Sequence, residues 1–189
     1  PHLPYYRLNL TRYLAGEVKA EQLDLHSENW YTEQDIRLLL ETELRTIDLD
    51  QKALSLTNGN QLTYDKLILT VGSHPFVPPF PGANRENVTV LRTRTDADFI
   101  LDACQQNTRC VVIGGGVLGL ETAGALARRG VDVTLLEGHG WLLPRQLNQR
   151  AGELLEQYVT SIGISLRKQA RTQEIVGDER VRGVLLKDG

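Results

Sequence analysis

The sequence predicts an α/β protein in two parts, the first carrying a β-meander and the second built on a three-layer parallel sheet. Three observations predict it. Residues 109–137 run strand, glycine turn, helix, strand, acid. Beyond residue 94 helices and strands alternate, the pattern of parallel strands joined by crossover helices. In the first part, alternating apolar residues flank an Asn58-Gly59 pair, a strong hairpin signal.

Taken in order, "ENWYTEQDIRLLLETEL" predicts a short helix or turn after Trp30 and a strand over 36–40. Ile47, Ala53, Leu54 and Leu56, then Leu62 and Tyr64 beyond the turn, predict the meander. Residues 67–71 are apolar without alternation and stop at Gly72, which predicts a strand buried on both faces. Four prolines within 75–81 then exclude helix and central strand, leaving a stiff extended crossover.

The second part opens with a helix for which Thr95 is the expected N-cap and Asp98 its capping-box partner. A strand over 110–113, a helix over 117–129 and a strand over 131–136 follow. Arg128 and Arg129 read as partners of their own helix's C-terminal dipole. A further helix places Leu154, Leu155, Tyr158, Val159 and Ile162 on one face. The close, "GVLLKDG", reads as the first strand of a hairpin whose return lies beyond Gly189. With no Met and a start at Pro1, the chain reads as an excised internal piece.

The composition narrows the function. The 189 residues carry a net charge of −3 with both signs dispersed, so no basic stripe invites nucleic acid or an anionic membrane. No apolar run reaches membrane-spanning length and no signal pattern opens the chain. Cys104 and Cys110 form no C-x-x-C pair, and no His/Cys cluster has metal-ligand spacing, so a cytoplasmic chain with neither disulfide framework nor metal is expected.

The chemistry concentrates in Gly114-Gly115-Gly116-Val117-Leu118-Gly119. Gly114 allows the tight turn out of the strand, Gly116 lets backbone approach a pyrophosphate, and Gly119 lets the helix lie close to the strand. Free N–H groups and the positive end of the helix dipole then hold the phosphates. Glu137 closes the next strand eighteen residues after Gly119, near the spacing at which an acid meets the adenosine ribose. This is a Rossmann-type dinucleotide fingerprint. A carboxylate there accepts from ribose hydroxyls and repels a 2′-phosphate, and "EGHG" offers no arginine, so NAD is expected over NADP. His139 stays open between a solvated loop residue and a phosphate contact.

Together "YDKLILTVGSHPFVPPFPGA", the fingerprint and "LLPRQLNQRAGELLEQYVTSIGI" resemble the FAD-dependent pyridine nucleotide disulfide oxidoreductase superfamily, leaning toward its nitrite reductase branch, with rubredoxin and flavorubredoxin reductases as cousins. The resemblance implies part of an FAD-binding domain over 1–105 and part of an NAD-binding domain over 106–189. It further implies hydride transfer from NAD(P)H to FAD, with electrons passing to a further redox centre or acceptor protein. Siroheme and an iron–sulfur cluster would lie elsewhere in the parent chain.

By the same resemblance Arg7, in "PYYRLNLTR", stands beside the flavin or its pyrophosphate, with a surface arginine as the alternative. Leu44 meets the adenine through its backbone, and Thr70-Val71-Gly72 stands where the family has A-T-G, with Val71 replacing a threonine. Glu121 matches a glutamate on the nicotinamide side, a candidate catalytic residue and otherwise a first-turn carboxylate; Arg12 holds the position of its lysine partner. The first glycine turn and the Gly-Asp segment that hold FAD in the family do not occur, so these residues alone are expected to be inactive and to lose FAD while still binding NAD. Lost strands would leave an open sheet edge and a route to a homodimer. A non-catalytic NAD-binding redox sensor remains the alternative from another functional class.

Overall fold

The structure, a computed structural model, describes residues 2–106 and 109–188. The described residues form two compact units: one comprises 2–6 and 24–74, the other 7–23, 75–106 and 109–188.

The first unit holds the expected meander. Strands β1 (Leu44–Asp48), β2 (Ala53–Leu56) and β3 (Gln61–Thr63) pair antiparallel in that order, with Ile47 opposite Leu54 and Leu54 opposite Leu62. The β2–β3 turn falls on Asn58-Gly59, where Gly59 takes φ +86° and the Asn58 side chain accepts from Asn60 N–H. Tyr64, expected on the returning strand, lies one residue beyond β3.

Two expected strands do not form. Helix α2 (Glu28–Glu33; α1, Leu10–Leu14, belongs to the second unit) ends with Asp35 left-handed at φ +56° and Ile36 N–H donating to Tyr31 O at 2.8 Å. That helix-ending bond spends the donor a strand would need, and 36–40 stays irregular. Residues 67–71 form no strand, with Ile68 and Val71 more than four-fifths exposed. Without a neighbouring strand, apolar composition alone makes no ladder.

In the second unit, strands β4 (Arg109–Ile113), β5 (Asp132–Leu136) and β6 (Ser165–Arg167) form a parallel sheet in that order, with Val112 opposite Leu135 and Leu135 opposite Leu166. Helices α3 (Arg94–Gln106), α4 (Val117–Arg128) and α5 (Gln149–Ser161) all contribute to its core, in which Val133, Leu135, Leu126 and Ile164 are fully or almost fully buried. Asn148 caps α5 by accepting from Ala151 N–H at 3.0 Å.

Several expectations are corrected. The α3 capping box is Thr93 with Asp96, two residues earlier than read: Asp96 N–H donates to Thr93 Oγ1 at 3.2 Å and Thr93 N–H to Asp96 Oδ2 at 2.8 Å. The stretch "TRTDAD" offers both registers, and burial of Ala97 fixes the earlier one. On α5 the apolar face splits. Val159 is buried and Leu155 packs on the core, while Leu154, Tyr158 and Ile162 turn outward. The last strand, β8 (Val181–Leu186), also has a partner that the sequence reading does not name: it pairs antiparallel with the preceding β7 (Thr172–Gly177). Arg128 and Arg129 serve helix α1 (Leu10–Leu14) rather than their own: Arg129 donates to the carbonyls of Leu14 and Tyr13, and Arg128 pairs with Glu17.

Candidate functional site

The glycine turn follows from the packing around it. Gly114 leaves β4 with φ +110°, a backbone that side chains rarely adopt, and its N–H still donates to Leu136 O at 2.8 Å. A Cβ on Gly119 would stand 1.9 Å from Gly114 O, so helix α4 can lie this close only with glycine there. Around Gly116, by contrast, nothing lies within 4 Å of the place a Cβ would take. That open space adjoins the first turn of α4, with Val117 and Leu118 half exposed and no acid in the turn. Free N–H groups, the helix dipole and room for backbone approach fit a dinucleotide pyrophosphate.

Glu137 completes this corner. It is buried, 6% exposed, at the end of β5, and its carboxylate accepts from Gly115 N–H at 2.8 Å through Oε2. Through Oε1 it accepts from His139 N–H at 2.8 Å and meets His139 Nδ1 at 2.7 Å. Burial alone would raise this carboxyl, but the hydrogen bonds from the His139 ring, His139 N–H and Gly115 N–H outweigh it, and the pKa lies below the ordinary range. The loop is pinned from below as well: Glu137 N–H donates to Arg167 O, Ala170 N–H to Glu137 O and Gln169 N–H to His139 O, at 2.8–3.0 Å. The fingerprint's turn and acid are thus one hydrogen-bonded assembly, a link that spacing could suggest but not display.

A second cluster lies where α1 meets α4. A cavity of about 50 Å³ is lined by Arg7, Thr11, Arg92, Leu118 and Glu121 among others. Arg7, Leu118 and Glu121, each singled out in the sequence, therefore come together. The partner expected for Glu121 is corrected. Thr11 Oγ1 donates to Glu121 Oε2 at 3.1 Å, whereas Arg12 turns to Glu17 at 3.2 Å. An arginine one position along a helix faces another side, so the threonine takes the contact.

The remaining FAD-side residues belong to the first unit. Leu44 opens β1 half-buried, and Thr70, Val71 and Gly72 lie on the exposed segment, Gly72 at φ +73°. Among the described residues of that unit no glycine turn opens a helix. Its cleft of about 260 Å³, lined by Arg37, Asn58 and Gln61 among others, contains none of the expected site residues. Cys104 and Cys110 are free, and burial raises both thiols, Cys110 to about 11, which disfavours their thiolates at neutral pH.

The pyridine nucleotide-disulphide oxidoreductase family model matches residues 1–189. The chain belongs to this family. Its members use FAD and NAD(P)H. Over 190 residues it is 38% identical to the nitrite reductase [NAD(P)H] of Bacillus subtilis, an alignment covering all of this chain and 24% of that protein. The chain thus spans about a quarter of that relative. A ferredoxin reductase from Rhodopseudomonas palustris superposes with a TM-score of 0.91 at 28% identity, covering 100% of this chain and 47% of that one. An engineered water-forming NADPH oxidase, a five-residue variant of the Lactobacillus brevis NADH oxidase, superposes at 0.81 with 26% identity, covering 92% and 40% respectively. No helix among the described residues is long and apolar enough to cross a membrane.

Proposed function

We propose that this chain is the nucleotide-accepting part of an NADH-dependent flavin oxidoreductase whose electrons pass to nitrite through siroheme and iron–sulfur centres elsewhere in the protein. The observation that carries the nucleotide assignment is the buried Glu137 carboxylate bonded to Gly115 N–H beside the open space at Gly116. Bound NADH supplies a hydride for FAD. The residues of the chain do the positioning: the first turn of α4 takes the pyrophosphate, Gly116 stays out of its way, and Glu137 accepts from the adenosine ribose. Glu121, held by Thr11 and sharing a cavity with Arg7, would border the nicotinamide end.

The engineered NADPH oxidase supports the preference for NADH. Its substituted glycine and aspartate stand eighteen positions apart, the spacing of Gly119 and Glu137, and its substituted proline lies seven beyond the aspartate, as Pro144 does beyond Glu137. There the acid became alanine, and the residue after it and the proline became arginine. Here the corresponding positions keep Glu137, Gly138 and Pro144. The likeness to a ferredoxin reductase supports a second reading of the acceptor, a small iron–sulfur protein.

Steady-state rates of the full-length enzyme with both nucleotides test the assignment. NADH is expected to be preferred, and Glu137→Ala to narrow the preference by about tenfold, the worth of one charge-assisted hydrogen bond. A wild-type preference for NADPH would overturn it. Nitrite-dependent NADH oxidation, compared with turnover of a ferredoxin, separates the two acceptors.

A further inference from the structure

We infer that His139 is a second specificity-determining residue, and that it makes the discrimination between NAD and NADP depend on pH. The inference rests on the assignment of Glu137 to the adenosine ribose. Glu137 excludes a 2′-phosphate because it is an anion. Yet its charge is not alone: His139 Nδ1 lies 2.7 Å from Oε1, while the His139 side chain is 68% exposed. A ring nitrogen that donates to a carboxylate can do so as neutral imidazole or as imidazolium.

The two states present different faces to a nucleotide. With neutral imidazole the corner carries the net charge of Glu137 and repels a phosphate. With imidazolium the pair is neutral, and an exposed cation stands where a phosphate would approach. Ribose hydroxyls need only an acceptor, and Glu137 remains a carboxylate in both states, because its hydrogen bonds hold its pKa low. Protonation of His139 therefore relieves the penalty on NADP while leaving NAD nearly unaffected.

Arg145, on the same loop as His139, and Arg171, beside Ala170, are exposed cations whose charge does not change with pH, so they do not set the pH slope. The glycine turn contributes only the Gly115 N–H. From β6 and its continuation come Arg167, which is exposed, and Lys168, which is engaged by Glu156 at 2.8 Å. The loop backbone is fixed by Gln169 N–H on His139 O at 3.0 Å, so the ring cannot leave Glu137 by a shift of the whole loop without breaking that bond. The position is also one of the five changed in the engineered NADPH oxidase, two residues beyond its acid.

The test is calorimetric titration of the full chain with NAD⁺ and NADP⁺ at pH 5.5, 6.5 and 8, together with His139→Gln, His139→Lys and Glu137→Ala. In the wild type the ratio of the two dissociation constants is expected to fall about fivefold from pH 8 to pH 5.5. The nucleotide's own 2′-phosphate titrates near pH 6, and His139→Gln, expected to keep less than half of the change, isolates that contribution. His139→Lys, charged throughout, is expected to show the low ratio already at pH 8 and so tests the charge with a second folded variant. An equal pH slope in wild type and His139→Gln, or no slope in the wild type, overturns the inference. If Glu137→Ala leaves the ratio at pH 8 unchanged, the ribose assignment falls too; a ratio lost in that variant with the slope kept in His139→Gln overturns the role of His139 alone.

Discussion

Two apolar runs in this chain end in glycine, and their fates differ. Residues 110–113, ending at Gly114, lie in β4 with every position paired to β5. Residues 67–71, ending at Gly72, form no ladder and leave Ile68 85% exposed. Both runs are rich in β-branched residues and both glycines take positive φ. What separates them is the neighbour. β4 finds β5 beside it and a helix folding back over Gly119, and the glycine turn is further tied to the acid on the next strand. An apolar run nominates a strand; a partner with matching register makes it one.

The largest effect should come from the helix that folds back. Gly119→Val places a Cβ 1.9 Å from a backbone oxygen and adds two methyl groups at the same contact, where no side-chain rotation relieves the clash. A loss of about 3 kcal/mol is expected, from overpacking at a rigid contact, read as a fall of about 6–12 °C in Tm for a chain of this size. Gly116→Val should behave oppositely, since its φ of −75° suits any residue and nothing occupies the space. It should keep the wild-type Tm and lose nucleotide binding by calorimetry. Equal Tm values for Gly119→Val and wild type would show that the close approach of α4 does not hold β4's end in place.

The same contrast explains how much was legible. The nucleotide turn could be read because its constraints are local: Gly114, Gly116, Gly119 and Glu137 each answer to sterics or charge within one βαβ unit. The meander could be read for the same reason, from Asn58-Gly59. The α3 cap is ambiguous in sequence because Thr93/Asp96 and Thr95/Asp98 satisfy the same local rule, and burial of Ala97 decides between them. The partner of Glu121 is not legible because Thr11 and Arg12 are adjacent in sequence, and helix rotation chooses between them. Arg129 looked local and is not, since its guanidinium reaches carbonyls on α1.

A smaller effect follows from the acid that ties the turn. The Glu137 pKa is lowered in the folded chain, so its contribution to stability is complete above the ordinary carboxylate pKa and is lost as pH falls through the lowered folded value. Glu137→Gln should cost about 1–2 kcal/mol at pH 7, the worth of hydrogen bonds to a charged group. Chemical denaturation at stepped pH should show the two proteins converging below about pH 4. A constant gap down to pH 3 would mean that the carboxylate's charge does not contribute to holding the turn.

The smallest effect should fall on the other run. Ile68→Ser and Val71→Ser remove side chains that are 85% and 86% exposed, so neither opens a cavity nor strands a polar group in the core. Each should change stability by no more than about 0.5 kcal/mol, the range of surface substitutions. Val112→Ala provides the reference: this residue sits in register with the fully buried Leu135 and packs on the core, and its truncation should cost about 1–3 kcal/mol. Denaturant midpoints measured on the three variants give the comparison directly. If Ile68→Ser costs as much as Val112→Ala, residues 67–71 are buried in solution against something these contacts lack, and the difference between the two runs lies in the assembly rather than in the chain. A null result for Ile68 beside a large one for Val112 ties the difference to the presence of β5.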